Sequence, residues 1–221
     1  MYRVTATKLD NPSSQVIGLA SVTIDDKFRL DSIRVIKSEK AEKGFFLAMP
    51  SYQTNRRDAN DKPIYKNLFY SPDKEFTTAL TNAVADAMKM DTAVEIFKER
   101  TEDLSVKVVP TNNEETNIKA DVTVFVKPAN SDAKTTMVID SIKLRKSMSG
   151  ENAGKNFVAL PSRSTKDGTY RNICYPITKE SRENLFSDIF TKYNKAINKE
   201  ASEEKAGFRV SDARESDVML K

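Results

Sequence analysis

Two basic loops hold the residues of this chain best suited to recognition chemistry. Residues 162–172 carry Arg163, Lys166 and Arg171 against Asp167, with hydroxyls at Ser162, Ser164 and Thr165. Residues 51–67 carry Arg56, Arg57, Lys62 and Lys66 against Asp58 and Asp61, so each loop nets +2. That set suits phosphate: arginine offers a forked donor, lysine a point charge, and hydroxyls short supplementary bonds. Tyr52, Tyr65 and Tyr170 stand among these cations, where their rings could stack on exposed bases. The plainer reading of the same residues is a solvated surface loop, with a hairpin turn at Asp167-Gly168. A third cluster, Lys143, Arg145, Lys146 and Lys155, flanks the second loop and favours binding.

Bond-making chemistry is hard to assemble here. The sequence has no histidine, which removes the commonest general base near neutral pH and every Ser-His or Cys-His arrangement. The single cysteine, Cys174, sits in an apolar run and reads as a buried structural thiol. Asp25-Asp26 lies between two strand-like runs and reads as a turn rather than a metal pair. The six glycines form neither a P-loop nor a dinucleotide fingerprint. We therefore expect no enzyme, no metal and no cofactor.

The elements that position the loops come from a duplication. Asp31-Ser32-Ile33 answers Asp140-Ser141-Ile142, and Phe46, Ala48, Pro50 and Ser51 answer Phe157, Ala159, Pro161 and Ser162. Ala20-Ser21-Val22-Thr23 is matched in the same way with Ala120-Asp121-Val122-Thr123. Strands are expected at Tyr2 to Leu9, Val16 to Ile24 and Phe28–Ile36, and again at Leu104 to Val109, Ile118 to Val126 and Thr136–Leu144. Ser71 is expected to cap one helix ahead of Pro72, with Phe76, Leu80, Ala83, Val84, Ala87 and Met88 on one face. Thr178 is expected to cap a second, whose stripe is Leu185, Phe186, Ile189, Phe190, Tyr193 and Ile197.

These elements predict an α+β chain of two repeats, 1–90 and 104–198, each a small antiparallel sheet followed by a helix. An acidic helical linker is expected over 91–103 and a charged, mobile tail over 199–221. The net charge of +4 therefore resides on the repeats, because linker and tail are both net acidic. No apolar run approaches the roughly 18 residues of a transmembrane span, the first residues lack the apolar core of a secretory signal, and a lone cysteine fits a reducing compartment. A cytoplasmic protein without membrane partners is expected.

At these residues the chain resembles the SpoVG family of small bacterial regulators. Asp140-Ser141-Ile142-Lys143-Leu144, Phe157-Val158-Ala159-Leu160-Pro161-Ser162-Arg163, Asp167-Gly168-Thr169-Tyr170-Arg171-Asn172-Ile173 and Tyr175-Pro176-Ile177 resemble the family's DIRV, FVAMPSRKT, DGEFRDI and HPI segments in order. In the first repeat, Asp31-Ser32-Ile33-Arg34-Val35-Ile36 and Phe46-Leu47-Ala48-Met49-Pro50-Ser51 resemble it as well. Tyr52 departs from the pattern where the arginine after Pro-Ser belongs, and Tyr175 stands in place of the usual histidine.

The resemblance implies a family domain that pairs as a homodimer, so this chain would be a covalent pseudo-dimer, either monomeric or paired again. It also implies a non-catalytic DNA- or RNA-binding regulator of transcription, septation or sporulation. Binding would carry onto Arg163, Lys166 and Arg171, with Arg56, Arg57 and Lys66 compensating in the first repeat. The alternative is a protein-interaction module that keeps the fold without nucleic-acid binding.

Overall fold

Val16–Ile24 is rich in β-branched residues and ends at two aspartates that turn the chain back on itself. The computed structural model describes residues 1–221 apart from 12, 91–92, 98–100, 112–115, 130–133, 166 and 219–221, and lacks described side chains also at 200–201 and 203–218. The first half contains strands β1 (Tyr2–Lys8), β2 (Val16–Ile24), β3 (Phe28–Lys37), β4 (Phe45–Ala48), β5 (Ser51–Arg57), β6 (Pro63–Asn67) and β7 (Phe69–Tyr70), then helix α1 (Lys74–Met90). A short strand β8 (Val94–Phe97) follows. The second half contains β9 (Glu102–Pro110), β10 (Ile118–Pro128), β11 (Met137–Lys146), β12 (Asn156–Ala159), β13 (Ser162–Ser164), β14 (Tyr170–Asn172) and β15 (Cys174–Pro176), then α2 (Lys179–Val218). The chain is α+β with antiparallel sheets, and its two halves repeat the same order of strands before a helix.

The turn between β2 and β3 holds Asp25 and Asp26 at φ of 50° and 51°. They are the central residues of a turn closed by the Lys27 N–H on the Ile24 carbonyl at 2.9 Å, and positive φ at both gives the twist that suits a hairpin. The strand that leaves it has an interrupted alternation. Phe28 and Leu30 face the core, but so do Ile33 and Val35, which requires one extra residue between the pairs. That residue is a bulge at Asp31-Ser32, where the β2–β3 register shifts between Ala20 and Val22 and Ser32 takes a φ of 68°. The same device recurs at Asp140-Ser141, with a register shift between Val122 and Val124 and Ser141 at 67°.

Each bulge receives a segment from the other half. The Asp31 N–H donates to the Ile173 carbonyl at 2.7 Å, and the Asp140 N–H donates to the Leu68 carbonyl at 2.7 Å. Accordingly β15 pairs with β3, and β7 pairs with β11. The first sheet runs β15-β3-β2-β1-β8 with β4 also on β3, and the second runs β12-β11-β10-β9 with β7 also on β11. Helix α1 packs on β1 and β8, while α2 packs on β9 and β15. Buried side chains of both halves, from Tyr2 to Ile189, form one continuous hydrophobic cluster.

Three expectations are corrected. The linker expected to be helical contains β8, because Val94-Glu95-Ile96-Phe97 pairs with the outer edge of β1 at Tyr2, Arg3 and Val4. Its neighbours 91–92 and 98–100 lie outside the described residues. Ala20 faces Ile33 and Val122 faces Ile142, so Val122, not Ala120, is the counterpart of Ala20. A slip of two residues preserves the period-2 pattern, so alternation alone does not reveal it. Lastly, Ser71 is not the cap of α1. The Asp73 Oδ1 accepts the N–H groups of Glu75 at 2.9 Å and Phe76 at 3.3 Å, whereas the Ser71 hydroxyl donates across to the Thr136 carbonyl at 2.7 Å.

Asp73→Ala is therefore expected to cost about 1 kcal/mol, read as a lower urea midpoint with an unchanged slope. Thr178 caps α2 as expected, accepting from the Ser181 N–H at 3.1 Å. Helix α2 continues to Val218, and most side chains of the expected tail lie outside the described residues. Among the described residues no helix is long and apolar enough to cross a membrane.

Candidate functional site

The second basic loop folds as a hairpin. Strands β13 and β14 pair Ser162 with Asn172, Arg163 with Arg171, and Ser164 with Tyr170. Directly opposed residues share a face, so Arg163 and Arg171 project together and Tyr170 belongs to the other face. The turn is fastened by Asp167, whose carboxylate accepts from the Thr169 N–H at 3.2 Å, the Thr169 hydroxyl at 2.9 Å and the Thr165 hydroxyl. Hydrogen bonds from Thr165 and Thr169 hold this carboxyl below its ordinary range. Gly168 supplies the left-handed residue at φ 79°. Asp167 is thus committed to the turn.

The paired arginines line a cleft of about 600 Å³ against the first sheet. Arg29 of β3 and Arg182 of the first turns of α2 line it as well, so arginines from three strands and one helix share the cleft. Among the described residues Asp31 is the only carboxylate on its lining, and its charge is already shared. The Arg29 Nε donates to Asp31 Oδ1 at 3.0 Å, and the Tyr175 hydroxyl donates to Asp31 Oδ2 at 3.1 Å. Arg29 also donates through Nη2 to the Ser21 hydroxyl at 2.7 Å. Burial first, and then the Asp31 charge, push the Tyr175 hydroxyl above its ordinary pKa, which keeps it a neutral donor. Thr5, Thr7 and Ser32 add hydroxyls. The cleft is cationic, with donors rather than acceptors predominating.

The bulge accounts for this local chemistry. Phe28 and Leu30 point inward, so Arg29 and Asp31 point outward; the extra residue then lets Ser32 face out beside Asp31 before the core pattern resumes. The neighbouring Cys174 is fully buried. Burial, with Asp31 nearby, pushes its thiol well above the ordinary range, which suits a packing residue and not a nucleophile.

The first basic loop is placed differently. It folds as the β5–β6 hairpin, with Ser51 opposite Asn67 and Tyr52 opposite Lys66. The register therefore makes Tyr52 the counterpart of Arg163 and Lys66 the counterpart of Arg171. Lys66 lies 3.4 Å from Asp140. Arg57 bonds the Asp61 carbonyl at 2.8 Å and its carboxylate at 3.2 Å within its own hairpin, and Arg56 is exposed. None of Arg56, Arg57 and Lys66 lines the cleft that holds Arg163 and Arg171. Lys166 lies outside the described residues.

Sequence reasoning missed Arg29 and Arg182. The available signals were modest: Arg29 precedes the Asp-Ser of the bulge by two residues, on the outward side of β3. Arg182 follows the Thr178 cap by one turn.

Comparison with known proteins agrees with the internal repeat. The family model SpoVG matches this chain twice, over residues 1–90 and 102–195. The septation protein SpoVG of Clostridium beijerinckii is 43% identical over 47 residues, which cover 21% of this chain and 52% of that protein. That of Phytoplasma australiense is 43% identical over 42 residues, covering 19% and 44%. That of Brevibacillus brevis is 39% identical over 51 residues, covering 23% and 54%. The chain spans about half the length of the curated relatives it matches. No solved structure matches it at a significant level.

Proposed function

We propose, from the premise that this chain belongs to the SpoVG family, that it is a non-enzymatic DNA- or RNA-binding regulator that holds the phosphate backbone. The observation that carries this reading is four arginines lining one cleft with, among the described residues, a single and already engaged carboxylate. Guanidinium groups are the side chains best matched to phosphate oxygens, and a site of this kind reads backbone rather than base edges. The names of the relatives describe septation proteins, which supports division control as the process regulated.

We further propose that the chain acts as both protomers of a family dimer joined covalently. The reciprocal pairing of β7 with β11 and of β15 with β3 supports that arrangement, since each half contributes a strand to the sheet of the other. A chain that is monomeric or paired again, in a cytoplasmic setting, completes the proposal.

Fluorescence anisotropy of the full chain with labelled duplex DNA and single-stranded RNA tests the reading. The logarithm of affinity is expected to fall linearly with the logarithm of salt, with a slope of about −2 or steeper, as neutralisation of two or more phosphates requires. Absence of binding to either probe at low salt would move the assignment to a protein-interaction module. Phe46 on β4 and Phe157 on β12, exposed at 48% and 43%, favour that second reading, because they place an aromatic side chain at equivalent sheet edges.

A further inference from the structure

The two halves differ where the cleft is built, and that difference bears on how many ligands the chain can hold. We infer that this chain carries one phosphate site, not two, and that neither half can form it alone. The inference rests on the proposed phosphate-binding reading and specifies its stoichiometry and composition.

Arg29 comes from the first half, while Arg163, Arg171 and Arg182 come from the second. The counterpart of each can be read from the pairing. Tyr175 lies opposite Arg29 in the β15–β3 pair, and Tyr70 lies opposite Val138 in the β7–β11 pair, so Val138 stands where Arg29 does. The hairpin registers put Tyr52 and Lys66 in place of Arg163 and Arg171. Counting one turn from the caps Thr178 and Asp73 puts Thr77 in place of Arg182. Four arginines are thus answered by one valine, one tyrosine, one threonine and one lysine.

The lysine is itself offset. Lys66 faces Asp140 at 3.4 Å, the carboxylate equivalent to Asp31. In the cleft, the corresponding Asp31 is shared by Arg29 and Tyr175 and leaves three of the four guanidinium charges uncompensated. Of the two equivalent positions, and among the described residues, this cleft is the one that offers a phosphate monoester or a phosphodiester a net cationic site. A volume of about 600 Å³ falls in the range of small-ligand clefts and accommodates a nucleotide. The phosphate can belong to a nucleic-acid strand or to a free nucleotide, and the shared chemistry is the phosphoryl group.

Isothermal titration of the full chain with adenosine monophosphate, adenosine and a short oligothymidylate separates these cases. One equivalent of adenosine monophosphate per chain is expected, with no detectable heat from adenosine. Arg182→Ala and Arg163→Ala, both at exposed positions, are each expected to weaken it about tenfold. Lys66→Ala and Arg57→Ala should change it by about twofold or less, as exposed ion-paired side chains do. Two equivalents per chain, equal binding of adenosine, or equal loss in Lys66→Ala overturns the inference.

Binding of the mononucleotide but not the oligonucleotide keeps the cleft and removes the nucleic-acid reading. Oligonucleotide binding untouched by both arginine variants does the reverse. No binding of either probe overturns the inference and that reading together.

Discussion

Alanine at both Arg163 and Arg171 is expected to weaken nucleic-acid binding about 100-fold at low salt, because two charge-assisted hydrogen bonds are lost. The salt slope should also become shallower by about two, one unit for each phosphate contact removed. Both effects follow from the hairpin: Arg163 and Arg171 are directly opposed, project from one face and share the cleft with Arg29 and Arg182. The chain should unfold at the same urea concentration as the parent, since both positions are exposed and the turn is fastened by Thr165, Asp167 and Thr169 instead.

Anisotropy across a salt series checks both numbers in one experiment. The paired control is alanine at Arg56 and Arg57, which lie on the other hairpin, with Arg57 engaged by Asp61; little change is expected from it. A double variant at Arg163 and Arg171 that binds as tightly as the parent would take phosphate recognition away from this cleft.

Those two arginines were legible because their positions in a hairpin and their resemblance to a family motif both mark them. Arg29 and Arg182 were not, since they belong to a strand and a helix whose approach to the hairpin depends on tertiary structure. Local signals performed well where the cause is local. The stripe of α1 was read from Phe76, Leu80, Ala83 and Val84, all of which are buried. The turn at Asp25-Asp26 follows from short polar residues that tolerate positive φ.

The bulge was also written in the sequence, as the slip from Phe28 and Leu30 to Ile33 and Val35, although its meaning emerges only beside β15. Strand β8 is four residues long and takes its conformation from the edge of β1, so no isolated pattern could establish it. The exchange of β7 and β15 rests on two- and three-residue pairings over long sequence separations. Such contacts leave no periodicity to read.

The largest stability effect is expected at that exchange. Phe69 is one of only two residues in β7; it pairs with Ile139 of the second half's sheet and is fully buried. Phe69→Ala removes a ring from the cluster shared by both halves and leaves a cavity that rigid strands on either side cannot close. A loss of about 3–5 kcal/mol follows for truncating a buried phenylalanine. Its distribution matters more than its size. If the halves were independent, the loss would appear in the half whose sheet receives the side chain. One continuous core and two reciprocal strand pairings predict instead a single urea transition, shifted to lower concentration with an unchanged slope. Amide exchange in β2 and in β10 should accelerate by the same factor, because both then open through the same global unfolding. Tyr70→Ala, at the adjacent and 41% exposed position, supplies the comparison, with a shift within about 1 kcal/mol. Acceleration confined to β10 would show that the first half stands without the second, and that the exchanged strands are contacts between two stable units instead of parts of one.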